Sequence, residues 1–286
     1  MHDYSLELEV KKAGMAAEIL NIDLSIPAAD RFIKAINRAF QNYKILIFRK
    51  QNLSAKQQIA FSQLFGDLEI HVVSQFNHPD FPEIFRLSNR KGENGEALGA
   101  ADGGSYWHSD LSFQEKPAKI TILHALEIPE TPANTQFVDM GAAYSDLPKI
   151  TRTKLDGKFG VHAYRTNKSL ENGTQIVLSS NQLNATPPVI HPIFRTHPET
   201  GEKSIYAFPG IVQKIEDMPD AEATSELKAL FEHCMNKNYR YDHCWEVGDV
   251  VLWDNRCLMH RATSRALPAD AYRSIHRTTV VGDRPF

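Results

Sequence analysis

Short β-strand patterns dominate the second half of the chain and restrict the folds open to it. Four of them follow one another between residues 241 and 281, where the sequence reads YDHCWEV, DVVLWD, RCLMHRA and SIHRTTVV. Earlier strand patterns lie at 44–48, 83–88, 120–128, 135–140, 158–164 and 188–208. Only a few amphipathic helices flank them, such as 221–237. Many short strands with few helices are typical of a double-sheet β core, so we predict a mainly β (α+β) fold of the jelly-roll, or double-stranded β-helix, type.

The 286 residues show no internal repeat, long linker or block of charge, and we predict a single domain that spans 1–286. Residues 166–187 are polar and irregular, which is typical of loops that close over a site, so we predict a lid there. The GxGxxG, GxxxxGKS/T and GxSxG motifs are absent from the sequence. Dinucleotide-binding, phosphate-loop and serine-hydrolase proteins therefore lack their main support.

Composition excludes several other classes of protein. The formal net charge is −3, so there is no positive field that would gather nucleic-acid phosphates. Apolar runs such as ILIF and VVLW are far shorter than the ~18 residues of a membrane helix. The start of the chain, MHDYSLELEVKK, has no apolar segment of the signal-peptide kind. Because the three cysteines form no CxxC pair, we expect reduced thiols and a cytoplasmic protein. From the net charge and the short apolar runs, we expect no nucleic-acid partner and no membrane partner.

The WHSD segment at 107–110 is the sharpest chemical feature. In an extended chain, residues two apart point to the same face, so the His108 imidazole and the Asp110 carboxylate would lie side by side. With a distant histidine they would form a facial triad, which holds Fe(II) and leaves positions open for other ligands. His260, which ends a strand pattern, is the best third candidate. The motif is short, and the alternative is a surface pair at a strand end.

Two arginines in the last strand pattern, Arg273 and Arg277, strengthen the case for an anion site. Strict alternation places them on the same face of the strand. Guanidinium groups inside a β core are costly unless they bind an anion, and their fork matches a carboxylate. The alternative is that both are solvated on an exterior face. Hydroxyl groups such as that of Thr135 can supplement an arginine, although no sequence rule selects Thr135 alone.

An ordered set of motifs carries a family resemblance: FGDLEIH (65–71), WHSDLSF (107–113), NTQFVDMGAAY (134–144), RTHPETGEK (195–203), WEVGDVVLWDNRCLMHRA (245–262) and RSIHRTTVVGDRPF (273–286). From about residue 5 to its end, the chain resembles the taurine dioxygenase and 2,4-dichlorophenoxyacetate dioxygenase family. These proteins are Fe(II)- and 2-oxoglutarate-dependent oxygenases. The stretch WHSDLSFQE, with FVDMGAAYSDLP after it, resembles the phenoxyacetate branch more than the taurine branch.

The resemblance implies a role for nine residues of this chain. The implied iron ligands are His108, Asp110 and His260. The implied partners of 2-oxoglutarate are Thr135 and Arg273 at its far carboxylate, with Arg277 close by. The implied contacts of the primary substrate are His71 and Arg277 at its anionic group, with Phe113 and Tyr206 as walls.

The chain also departs from the family pattern at three places. PANT (132–135) stands where GGDT is common, Gly104 replaces a frequent polar residue, and Phe208 replaces a frequent Asn. Since these residues belong to the implied lining, the departures bear on the particular substrate and not on the class of reaction.

The resemblance implies hydroxylation of a small organic anion, with release of succinate and CO2. An aryloxyalkanoate-like carboxylate is the first expectation, and an alkylsulfonate such as taurine, or an alkyl sulfate, is the alternative. Two further hypotheses stay open: a zinc hydrolase that uses the same three residues, and a non-catalytic protein that binds 2-oxoglutarate on the same fold. We also expect a homo-oligomer, either a dimer or a tetramer.

Overall fold

The computed structural model describes residues 8–27, 30–101, 103–131, 133–164, 178–264, 267–268 and 270–286. Within them it contains fifteen β-strands: β1 Val10–Ala13, β2 Ala16–Ile19, β3 Ile45–Phe48, β4 Phe85–Ser88, β5 Ala118–Glu127, β6 Thr135–Asp139, β7 Phe159–His162, β8 Val189–Pro192, β9 Phe194–Thr196, β10 Lys203–Ile205, β11 Val212–Ile215, β12 Arg240–His243, β13 Val250–Asp254, β14 Leu258–Ala262 and β15 Ser274–Val281. Six α-helices accompany them: α1 Asp30–Asn42, α2 Ala55–Gln63, α3 Met140–Ser145, α4 Lys149–Leu155, α5 Ser180–Asn184 and α6 Asp220–Cys234. Most of the predicted lid, residues 166–177, lies outside the described residues. None of the described helices is both long enough and apolar enough to cross a membrane.

Seven strands form the main sheet, in the order β1-β2-β3-β13-β5-β15-β4. Its neighbours are antiparallel except for β2 and β3, which run parallel. The central strands carry continuous apolar runs, such as ILIF in β3, because both faces of the sheet are covered. Alternate residues join different cores. Leu46 and Phe48 face the core shared with α1 and α2, whereas Ile45 and Ile47 face the second layer.

The other strands form three smaller sheets, β12-β6-β14, β11-β7-β8 and β9-β10. The core between the layers joins Phe137 of β6 and Leu258 of β14 to Leu123 of β5 and Trp253 of β13. An isolated antiparallel bridge between residues 108 and 260 ties the segment before β5 to β14. Two packed β layers, with helices outside the main sheet, confirm the predicted mainly β, double-sheet fold.

The last strand, β15, is held on both edges and from behind. It pairs with β5 along one edge and with β4 along the other. Behind it, the Gln58 side-chain amide of α2 donates to the His276 carbonyl at 3.1 Å, and the Ser62 and Thr278 hydroxyls lie 2.6 Å apart. The strand that carries Arg277 on its opposite face therefore has little freedom to shift.

Buried histidines outside the WHSD segment make the fold sensitive to acid. Burial lowers the pKa of His191 and of His276 from 6.5 to about 4. Between these two pH values the unfolded chain binds more protons than the folded protein does. We therefore expect the free energy of unfolding to fall as the pH falls from 6.5 to about 4. Each unit of displaced pKa corresponds to about 1.4 kcal/mol.

Urea unfolding across this pH window measures the effect, and the His191→Gln variant should show a flatter dependence on pH. The buried carboxyl groups of Asp110 and Asp254 also have a lowered pKa, and they lose most of their contribution below pH 3.8, at the acid end of this window. A free energy of unfolding that stays constant from pH 6.5 to about 4 would contradict the prediction.

Candidate active site

The structure brings His108, Asp110 and His260 together. One ligand atom of each lies within 4.8 Å of the other two, and all three residues are buried. The Nε2 atoms of His108 and His260 are each 3.6 Å from a carboxylate oxygen of Asp110. The two histidines are also paired through their backbones, since the His108 N–H donates to the His260 carbonyl at 3.0 Å and the His260 N–H donates back at 2.8 Å. The first half of the chain is thereby joined to the second at the ligands themselves.

His108 and Asp110 lie close together, but not because they alternate along a β-strand, as the sequence analysis assumed. Residues 105–110 form no strand of their own, and the 108–260 bridge is isolated. Asp110 lies in a turn that continues through Leu111, whose φ is +56°. The carboxylate reaches the histidines because the Asp110 N–H donates to the Asn255 side-chain oxygen at 3.2 Å, which anchors the turn.

The protonation states of the three groups suit a divalent metal ion. Burial, with His108 nearby, lowers the pKa of His260 to about 3, so its imidazole is neutral. Burial opposes ionisation of Asp110, yet His260 and Arg277 hold the pKa of its carboxyl well below the usual range. The His108 Nδ1–H donates to the Tyr106 carbonyl at 2.7 Å, which leaves Nε2 as the ligand atom. Two imidazoles and one carboxylate form the donor set of an open Fe(II) site.

Sequence reasoning missed two residues that orient the Asp110 carboxylate. The Thr121 hydroxyl donates to Asp110 Oδ2 at 2.6 Å, and the Asn255 side-chain amide donates to the Thr121 oxygen at 2.9 Å. The Asn255 oxygen also accepts from the Trp253 indole N–H at 3.1 Å. The relevant signal is the pairing of Trp253 with Thr121 between β13 and β5, which no local pattern encodes.

We expect the Thr121→Val variant to bind the metal roughly 10–100-fold more weakly, because the Asp110 carboxylate loses the donor that fixes its direction. A competition titration with a chelator measures this affinity. Thr278→Val is a matched control: both threonines are fully buried in the main sheet, and each makes one 2.6 Å hydroxyl contact. Equal metal affinity in the two variants would show that Thr121 does not act on the ligand.

An inner cavity of about 350 Å³ lies on one side of the ligands, with Thr135, His260 and Arg273 in its lining. Arg273 is only 4% exposed, and its guanidinium forms no hydrogen bond or ion pair with any residue the structure describes. Burial lowers its pKa to about 10, so the group still carries its charge at neutral pH. An unpaired guanidinium in such a place calls for an anion. Arg273 and Arg277 both line this cavity. Of the two alternatives for these arginines, the structure therefore shows the inward one and not the solvated exterior face.

A second cavity of about 520 Å³, the outer cavity, also borders the ligands, and His71, Phe113 and Arg277 are in its lining. The His71 ring lies 4.4 Å from the Phe85 ring, and the Arg277 guanidinium carbon lies 4.6 Å above the same ring. His71 Nδ1 accepts from the Val73 N–H at 3.1 Å, so the neutral ring carries its proton on Nε2 as a donor. Arg277 also donates to Asp110 Oδ1 at 3.2 Å. A cation and a neutral donor thus flank one aromatic ring.

Tyr206, which the resemblance implies as a wall of the substrate pocket, is not among the residues that line this cavity. It is 1% exposed, stacks on His162 with ring centroids 5.4 Å apart, and packs edge-on against Phe208. Gly104 does lie in the lining of both cavities, with φ +78°. A Cβ atom there would lie 3.1 Å from His108 Cε1. In this chain the position is therefore restricted to glycine by the imidazole beside it.

The two cavities share one wall. Six residues belong to the lining of both: Leu87, Gly103, Gly104, His108, Asp110 and Arg277. Two of the three candidate ligands are in this wall, whereas His260 belongs to the inner cavity alone. A metal ion held by the three would face both spaces.

The chain is similar to proteins of known activity along almost its whole length. The family model described as "Taurine catabolism dioxygenase TauD, TfdA family" matches residues 8–279. An alpha-ketoglutarate-dependent 2,4-dichlorophenoxyacetate dioxygenase of Cupriavidus pinatubonensis is 34% identical over 278 residues, which cover 94% of this chain and 95% of the relative. An alkylsulfatase of Acinetobacter baylyi is 29% identical over 97% of this chain and 86% of its own.

Two solved structures are also similar to this chain over almost its whole length. The crystal structure of a taurine dioxygenase from Burkholderia xenovorans superimposes with a TM-score of 0.81 at 28% identity and covers 98% of this chain and 91% of its own. The crystal structure of AAD-2 in complex with Mn(II) and N-oxalylglycine also gives a TM-score of 0.81 at 28% identity, with 98% and 99% of the two chains covered.

Proposed function

Because the chain belongs to the TauD, TfdA family of dioxygenases, we propose that it hydroxylates an aryloxyalkanoate-like carboxylate. The chain is an Fe(II)- and 2-oxoglutarate-dependent dioxygenase, which consumes O2 and releases succinate and CO2. The substrate is a small organic anion. This assignment sets aside the zinc hydrolase and the non-catalytic binding protein, which the three ligands alone leave open.

His108, Asp110 and His260 would hold the iron in the proposed site. When bound, the iron supplies the activation of O2 that an unreactive C–H bond requires. The protein's own task is to hold the reactants in place. Thr121 and Asn255 fix the carboxylate ligand, and the paired backbones of the two histidines fix the imidazoles.

Arg273 and Thr135 would bind the far carboxylate of 2-oxoglutarate in the inner cavity. The buried and unpaired guanidinium of Arg273 supports this role, because a carboxylate accepts two parallel hydrogen bonds from arginine. Arg277 lies in the wall between the two cavities, close to both the co-substrate and the substrate. Its positive charge would therefore attract both 2-oxoglutarate and the anionic substrate.

The proposed substrate class rests on one observation: the side chains of Arg277 and His71 both contact the Phe85 ring. These two donors would hold the carboxylate of the substrate. Seven apolar or aromatic residues also line the outer cavity: Leu87, Ala100, Tyr106, Leu111, Phe113, Tyr164 and Ile211. Such walls suit an aryl ring better than the short polar chain of taurine. If the hydroxylated carbon bears the ether oxygen, the product collapses to a carbonyl acid and a phenol.

A substrate panel tests the proposal. Under anaerobic conditions, Fe(II) and 2-oxoglutarate should give the weak visible band of their chelate in the protein. After O2 is added, phenoxyacetate and phenoxypropionate should raise succinate release above the rate without substrate, and taurine and an alkyl sulfate should not. Absence of the band would contradict the iron and 2-oxoglutarate site. A clear preference for taurine or the sulfate ester would instead favour the alternative substrates.

We also propose that residues 1–286 form one cytoplasmic domain that assembles into a homo-oligomer, either a dimer or a tetramer. The unbroken match of the family model over residues 8–279 supports the single domain. Light scattering on the purified protein measures the size of the assembly. The lid over 166–187 stays a prediction, checked by limited proteolysis with and without 2-oxoglutarate.

A further inference from the structure

We infer that Trp245 is a positioning residue for 2-oxoglutarate, because its indole fixes the direction in which the Thr135 hydroxyl donates. The inference rests on the proposed function, since 2-oxoglutarate is the molecule that Thr135 would meet. It concerns a residue that is not in the lining of either cavity and whose indole N–H donates to Thr135, which lines the inner cavity.

Trp245 and Thr135 share one hydrogen bond, and the chemistry of the two groups fixes which is the donor. The Trp245 Nε1–H donates to Thr135 Oγ1 at 2.9 Å, and the two residues are 7% and 3% exposed. An indole N–H can only donate, whereas a hydroxyl can both donate and accept. The Thr135 oxygen is therefore the acceptor, and its own proton remains for a second partner.

That second partner is not found among the described residues. No carbonyl, carboxylate or amide oxygen of the described chain accepts a hydrogen bond from Thr135 Oγ1. Thr135 is the first residue of β6, between β12 and β14, and its side chain is part of the lining of the inner cavity with Arg273. With the indole on one side, the hydroxyl proton is left to the cavity.

The polarity of the cavity follows from this arrangement. Arg273 and Thr135 both present donors there, and one of them carries a fixed positive charge. A carboxylate, which is an acceptor only, satisfies both. A neutral amide or hydroxyl end would satisfy them less well, because it brings donors of its own. Trp245 thus helps to make the site selective for a charged carboxylate.

The indole itself is held in place. The His243 ring packs against it edge-to-face, with centroids 4.6 Å apart and an interplanar angle of 86°. The His243 Nε2 is 3.0 Å from the fully buried carboxylate of Asp249, which also pairs with Arg49 at 2.6 Å. Trp245 therefore packs against a ring that Asp249 holds in place, which favours one direction of the indole donor before any ligand binds.

Removal of the indole N–H should weaken 2-oxoglutarate binding without impairing the chemistry. In Trp245→Phe, the Thr135 hydroxyl gains other orientations and loses its bias toward the cavity. We expect the Kd and the KM for 2-oxoglutarate to rise about tenfold, with kcat at saturation nearly unchanged. Thr135→Val, which removes the donor itself, should cost at least as much, and Thr135→Ser should keep most of the affinity.

The decisive experiment is a double-mutant cycle on the full chain. The Kd of 2-oxoglutarate is measured by calorimetry on the iron-loaded protein without O2, for Trp245→Phe, Thr135→Val and the double variant. If Trp245 acts through Thr135, the change at 245 weakens binding about tenfold in the wild type and less than about twofold in the Thr135→Val background. Tyr239→Phe is the matched control, since it also removes one buried aromatic donor, the 2.8 Å bond to Asp146, away from both cavities.

Three outcomes would overturn the inference or separate it from the proposed function. An unchanged Kd in Trp245→Phe overturns it, and so does the same loss in both backgrounds, which would reveal a packing effect. If Trp245→Phe does not fold, site-specific benzothienylalanine, which carries sulfur in place of the N–H at nearly the same shape, gives the same comparison. Failure of the wild-type protein to bind 2-oxoglutarate would contradict the proposed function itself.

Discussion

The Asp110→Asn variant is expected to lose succinate release by a factor on the order of 1,000 while it keeps its fold. Asparagine has the same shape, so the Thr121 hydroxyl can still donate to one side-chain oxygen. The charge, however, is gone. With its oxygen toward Thr121, the amide nitrogen would then face His108 Nε2 and Arg277, which lie 3.6 Å and 3.2 Å from Asp110 Oδ1. The metal site loses its anionic ligand, and Arg277 loses its ion pair.

Two measurements separate loss of the ligand from loss of structure. Fe(II) affinity and O2-dependent succinate release should fall together, whereas the far-ultraviolet circular dichroism should match that of the wild type. Asp242→Asn serves as a control, because that carboxylate is exposed and, among the described residues, accepts its side-chain hydrogen bond from Gln136. An Asp110→Asn variant that turns over at the wild-type rate would remove Asp110 from the set of ligands.

The Arg273→Met variant should show an unusual pair of effects: much weaker 2-oxoglutarate binding and a more stable protein. Its guanidinium is buried and has no counter-charge among the described residues, so the free protein bears the cost of desolvating it. Methionine fills a similar space without charge, and we expect the free energy of unfolding to rise by about 1 kcal/mol. The KM for 2-oxoglutarate should rise on the order of 100-fold.

Urea unfolding without co-substrate and steady-state kinetics test the two halves of this prediction. Arg277→Met is the informative comparison, because that guanidinium already pairs with Asp110 in the free protein. Its replacement should not stabilise the fold, and it should raise the KM of the primary substrate more than that of 2-oxoglutarate. If Arg273→Met is less stable than the wild type at unchanged KM, Arg273 has a structural role only.

The sequence allowed much of the fold and the ligand set to be predicted, since both depend on patterns that lie within short segments. Apolar runs such as VVLW in β13 identify buried strands directly. The HxD spacing and the two arginines four residues apart are likewise local. The reason given for the HxD pair was nevertheless wrong in part, because Asp110 lies in a turn and not in a strand.

The groups that support the site could not be found in this way. Thr121 meets Asn255 across the register of β5 and β13, and Thr135 meets Trp245 across the register of β6 and β12. These partners are more than 100 residues apart, and their meeting depends on how the strands pair. Tyr206, which the resemblance implies as a wall of the substrate pocket, does not belong to the lining of either cavity. A likeness of motifs does not say whether a side chain borders the cavity or the core.

The wall shared by the two cavities has a consequence for inhibition. Because Arg277 and two of the candidate metal ligands face both spaces, a single molecule could span them, with one carboxylate for Arg273 and an aryl acid for His71. Once one end is bound, the other end meets its site at an effective concentration in the millimolar range, as expected for a short tether. Its selectivity would come from the outer end, which meets the aromatic residues Phe113 and Tyr164, while the inner end would supply affinity through the buried Arg273.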